Sequence, residues 1–191
     1  MRRTIYVPAF VAMLSLAVPL AAKAPAGSSA PTREGVMGEL LRDVGMAEKK
    51  IIGLAKAMPA TAFDWRPGTG VRSTGEVLMH IAADNYFIPA AMGIPAPKET
   101  GITKEYDTAA AFEKKQLSRD AIIAELEKSF AYLKSSMNGV PDAKLNEPLQ
   151  VFGMNNTNRG MWIMATTHLH EHLGQLIAYA RSNNVTPPWS K

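Results

Sequence analysis

His168 and His172 stand four residues apart in the run Thr166-Thr-His-Leu-His-Glu-His-Leu-Gly-Gln175. On a helix this spacing places one ring a turn above the other, close enough for both to converge on one ion. The chain has 4 histidines. His80 lies far upstream in another helix-patterned segment, where a folded bundle can bring it opposite the pair. Three neutral imidazoles with a remaining position for solvent make an open site for a divalent metal. Histidine pairs at this spacing also occur on solvated faces or as hydrogen-bonded core groups; the inward direction of all three rings is what favours a metal. His170 falls about 200° from His168 on the helical wheel and cannot share the ion.

The neighbours leave more than one role open. Asp84, one turn after His80, either orients a ring or binds the ion, or is a solvated carboxylate at the edge of the stripe. Glu171 is a candidate base near the metal or a plain surface charge. Gln175 can hydrogen-bond a ligand or a partner helix, and Gly174 is expected to allow close helix approach. His170-Glu171 does not match the zinc-protease pattern, because Gly174 stands where its second histidine belongs.

Four helices must position these groups. Val36, Leu40, Leu41, Val44, Ile51, Ile52 and Leu54 recur at three- and four-residue steps, so the first helix is expected over about 32–58. Phe63-Asp-Trp-Arg-Pro-Gly-Thr-Gly is a turn-rich connector, after which Ser73 or Thr74 caps a second helix running to about Met92, with a one-sided stripe that includes His80, Asp84 and Phe87. A long connector follows, with a short amphipathic piece at Tyr106–Lys115. The third helix opens at Ser118 and runs to about Met137. Gly139–Asn158 is a second connector with a few extended residues near Leu149–Phe152, and the fourth helix covers about Arg159–Asn183. Trp65 and Trp162 read as core anchors. The expected fold is all-α, a four-helix bundle with long crossover connections that let helices two and three run parallel.

Residues 1–24 have the layout of an export signal: Arg2 and Arg3, an apolar stretch from Ile5 to Leu20, then small residues, with the cut at 22–26. Residues 25–31 read as a linker and 32–191 as the helical domain. The competing reading of the start, an uncleaved anchor, suits it less well, because the run is short and carries prolines. Cleavage removes Arg2, Arg3 and Lys23 from the 21 basic residues, leaving 18 against 17 acidic ones. No basic face remains for nucleic acid. The expected localisation is exported, periplasmic or secreted, with no stable membrane span once the signal is gone. With 0 cysteines, a disulfide framework, a thiolate site and a cysteine nucleophile are excluded.

Trp65-Arg-Pro before a Ser/Thr-capped helix, His80 within that helix, His168-x-x-x-His172-x-Gly-Gln in the last helix and the closing Pro187-Pro188-Trp189 together resemble the DinB superfamily. The resemblance implies an up-down-down-up bundle, often a homodimer, whose three matching histidines bind a divalent ion such as zinc or nickel. It also implies small-molecule chemistry, since members with assigned activities include transferases and isomerases that use a low-molecular-weight thiol. A metal-dependent hydrolase or thiol-dependent transferase is the expected function. The alternative is a non-catalytic binding or stress-related bundle whose metal is structural or absent.

Overall fold

Helix boundaries follow local chemistry closely in a computed structural model of the chain, which describes residues 33–190. The export-signal and linker readings lie outside the described residues. The elements are α1 (Gly35–Ala57), α2 (Thr74–Ala91), α3 (Tyr106–Glu113), α4 (Arg119–Asn138), a hairpin of β1 (Pro148–Val151) and β2 (Met154–Thr157), and α5 (Asn158–Ser182). Ser73 accepts from the Glu76 N–H while the Glu76 carboxylate accepts from the Ser73 N–H, a reciprocal cap that starts α2. The Ser118 and Thr157 side chains cap α4 and α5 one way, accepting from the Ala121 and Gly160 N–H groups. At the other end of α5, Asn184 takes φ 58°, and Val185 N–H returns to the Ala180 carbonyl, closing the helix with a left-handed residue.

Side-chain pairings give the direction of each helix. Lys56 meets Glu127 and Lys134 meets Glu48, so α1 and α4 are antiparallel. Gly75 lies against Ile122 and Asn85 donates to Ser129, so α2 and α4 are parallel. Tyr179 reaches Arg72 while His168 reaches Asp84, so α2 and α5 are antiparallel. Taken together, α1, α2, α4 and α5 run up, down, down, up. The long connector carrying α3 is what permits two successive bundle helices to run the same way.

The core is one contiguous set from all four bundle helices, with Trp162, Phe130, Met37 and Leu126 fully enclosed. Two expectations change. The stripe on α2 is not one-sided: Leu78, Met79, Ile81, Ala82 and Tyr86 are buried as well as Val77 and Phe87, because α3 covers the side that α4 and α5 leave open. Helices enclosed in this way are apolar all round. The extended residues near Leu149 form a two-stranded antiparallel hairpin, with Val151 opposite Met154 and Phe152-Gly153 at the turn. Both turn residues have positive φ, 57° and 72°, as a tight hairpin with right-handed strand twist requires. Trp162 is a core anchor as expected, whereas Trp65 is half-buried, its ring edge-on to Tyr179 at 5.2 Å.

Candidate metal centre

The antiparallel pairing of α2 and α5 brings His80, His168 and His172 together. One ring nitrogen from each lies within 4.8 Å of the others. The ring centroids are 4.4 Å apart for His168–His172, 4.7 Å for His80–His172 and 5.2 Å for His80–His168, each pair edge-on. Asp84 joins them: its Oδ2 is 2.7 Å from His168 Nε2 and 3.4 Å from His80 Nε2. The contact with His168 lacks hydrogen-bond alignment, since His168 Nε2 is a buried atom without a hydrogen-bond partner, and so is His172 Nε2. Buried polar nitrogens are almost always paired. Two such nitrogens in one cluster, with a third imidazole and a carboxylate beside them, fit a divalent cation.

The protons on the outer nitrogens follow from the hydrogen-bond network. The Arg72 carbonyl can only accept, so the Tyr179 hydroxyl donates to it at 3.1 Å. Tyr179 Oη therefore accepts from Gln175 Nε2 at 2.9 Å, leaving Gln175 Oε1 to face His172 Nδ1 at 2.9 Å. His172 carries its proton on Nδ1, and its Nε2 presents a lone pair to the cluster. His80 is fixed likewise by Glu113, whose Oε1 is 2.7 Å from His80 Nδ1. Burial pushes the Glu113 carboxyl up, but the bonds to His80 and Arg72 outweigh it and hold the group below the usual carboxylate range. An ionised carboxylate only accepts, so the His80 proton is on Nδ1 and its Nε2 too faces inward.

Both chains end on one residue. The Arg72 guanidinium donates to Glu113 Oε2 at 3.0 Å, and the Arg72 carbonyl receives Tyr179. The loop holding Arg72 is strapped to the start of α2 by Thr74 N–H to the Trp65 carbonyl and Gly75 N–H to the Phe63 carbonyl. Neither Glu113 nor Arg72 stands out in the sequence. Gln175, expected to bond a ligand or a partner helix, instead faces His172 on its own helix, as the three- and four-residue steps of His172, Gln175 and Tyr179 along one face allow.

The remaining candidates lie elsewhere. Glu171 is exposed and acts on His172 only through its charge. His170 points away, its Nε2 3.0 Å from Asp43 Oδ1 on α1. Gly174 does not serve helix contact, since a side chain there would meet nothing within 4 Å.

The sequence profile of the DinB superfamily matches residues 46–176. The chain belongs to the DinB superfamily. Solved structures with the same fold include a DinB-like protein from Bacillus cereus, at 18% identity and TM-score 0.66 over 80% of this chain and 95% of that one. YfiT from Bacillus subtilis, described as a probable metal-dependent hydrolase with an unusual four-helix bundle topology, aligns at 16% identity and TM-score 0.64 over 85% and 97%. A mycothiol-dependent maleylpyruvate isomerase aligns at 14% identity and TM-score 0.59, over 73% of this chain and 60% of the isomerase. A search of curated proteins finds no match.

For this DinB-superfamily member the outer partners make a direct prediction. Glu113→Gln and Arg72→Ala should each weaken zinc binding by about 10- to 100-fold, the usual cost of losing a group that orients a ligating histidine. Competition with a chromophoric chelator would measure it; unchanged affinity in both variants would remove the relay from the account.

Titration supplies another. Burial lowers the His172 pKa below its ordinary 6.5. The unfolded chain therefore binds more protons than the folded one below about pH 6.5, and stability falls as pH drops through that window. Metal-free protein should melt at lower temperature at pH 5 than at pH 7. His172→Ala should show a weaker pH dependence, and equal slopes in the two proteins would contradict the assignment.

Proposed function

We propose that this chain is a metal-dependent enzyme of small-molecule chemistry, with His80, His168 and His172 as ligands of a divalent ion, zinc or nickel. The observation that carries the reading is the pair of buried, unpartnered Nε2 atoms of His168 and His172 beside His80 and Asp84. A bound ion would supply Lewis-acid polarisation and acidify a water or thiol at an open position. Glu113 and Gln175 hold two rings in the ligating tautomer. Asp84, beside the donors and 18% exposed along its side chain, would accept the proton released by an incoming nucleophile. His80 and His168 keep 14% and 23% side-chain exposure, so the cluster lies close under the surface rather than at the centre of the core.

Hydrolysis is the leading reaction, because a carboxylate beside the donors suits activation of water and because the hydrolase-like YfiT aligns over nearly its whole length. Export is proposed from the layout of residues 1–24, and it places the site where low-molecular-weight thiols are scarcer. Thiol transfer is the second reading, supported by the isomerase likeness. Metal-stripped protein reloaded with zinc or nickel should hydrolyse members of an ester, amide and lactone panel without glutathione. Turnover that appears only with a thiol would favour transfer, and stoichiometric metal with no exchangeable position would favour a structural role.

A further inference from the structure

Phe87 lies seven residues after His80 and three after Asp84, on the same face of α2 and about 4.5 Å beyond Asp84 along the axis. Two exposed aromatic rings sit on it. Phe152, at the hairpin turn, has its ring centroid 5.5 Å from that of Phe87, and Tyr106, at the start of α3, is 6.1 Å away. Phe152 and Tyr106 remain 44% and 69% exposed. Tyr106 also borders a cavity of about 410 Å³ shared with Arg72 and Glu113, the groups that hold His80. Phe87, beneath the two rings, thus stands about one turn of α2 from Asp84, and Tyr106 borders the recess beside Glu113.

The turn itself does not call for phenylalanine. At φ 57° a bulky side chain is strained, and asparagine or glycine is the usual occupant of such hairpin positions. The Phe152 ring is kept in an unfavourable backbone conformation, half in solvent, against Phe87, which itself follows Asp84 by about one helical turn.

We infer that Phe152 and Tyr106, seated on Phe87, clasp the aryl body of a small ligand whose polar head is held at the histidine cluster, so that the site selects aromatic over short polar molecules. This rests on the metal-site reading. Aromatic rings stacked in this way gain both burial and ring–ring contact.

The test compares benzohydroxamate with acetohydroxamate, two chelators that differ in the group beyond the metal-binding head, by calorimetric titration of the zinc-loaded protein. Wild type should prefer benzohydroxamate by about tenfold or more, the expected effect of burying a phenyl ring. Phe152→Asn suits the turn conformation and so should fold at least as well as wild type. It should lose most of the preference while binding acetohydroxamate as before; Tyr106→Ala should act in the same direction. Equal affinities in wild type, or a preference unchanged in both variants, overturn the inference and leave the metal site standing. A dimer that dissociates on Phe152→Asn overturns it too, because a second copy would then cover the rings. Failure of both hydroxamates to bind overturns the metal reading, and this inference with it.

Discussion

His172→Ala should lower the affinity for zinc by more than about 100-fold, exceeding the 10- to 100-fold cost of removing only an outer partner of a ligand. The ring is 7% exposed, its Nδ1 is committed to Gln175, and its Nε2 has no protein partner. Burial keeps it neutral, so a cation does not have to displace a proton near neutral pH. His170→Ala is the matched control. It stands two residues away on the same helix, but its ring faces Asp43 at the surface, and its removal should leave metal affinity unchanged. Equal losses in the two variants would show that disturbance of α5, rather than loss of a ligand, is responsible.

Trp162→Ala should destabilise the fold by about 3–5 kcal/mol, the range for truncating a large buried aromatic. Its melting temperature should fall by roughly 6–20 °C for a domain of this size. Trp162 is fully buried on α5, six residues before His168, and it anchors the helix that carries two of the three histidines. Its indole N–H has no partner, so Trp162→Phe gives up volume but no hydrogen bond and should cost considerably less. Denaturant unfolding of the three proteins measures the difference. Similar losses for phenylalanine and alanine would mean that the N–H makes an interaction after all.

The bundle was legible because its helices are long, periodic and capped. The expected fourth helix, Arg159–Asn183, differs by one residue at each end from α5, and the length of the connector after α2 already allowed the parallel pair. The histidine convergence was legible for the same reason, since four-residue spacing and an inward face place His168 and His172 without knowledge of the partner helix. Asp84 was left between two roles because spacing gives its face on α2 but not the reach of α5 across to it.

Glu113 was hidden for a different reason. It lies at the last turn of α3, inside a segment legible only as a short amphipathic piece, and nothing local distinguishes a carboxylate that will meet His80 from one that will meet water. Arg72 is in a loop, where periodicity carries no information, and its two contacts depend on how that loop is strapped to α2. The hairpin was reduced to a few extended residues because Phe152-Gly153 lacks the asparagine or aspartate that usually marks such a turn. That missing signal is the same feature that leaves an aromatic ring exposed against Phe87.

The most direct test of the central claim is the zinc K-edge X-ray absorption spectrum of the reconstituted protein. Three imidazole nitrogens with one or two oxygens at about 2.0–2.2 Å are expected, with imidazole scattering reduced in His172→Ala and unchanged in His170→Ala. A zinc shell with fewer than three imidazoles, or one unaltered by loss of His172, would contradict the assignment of His80, His168 and His172 as the metal ligands.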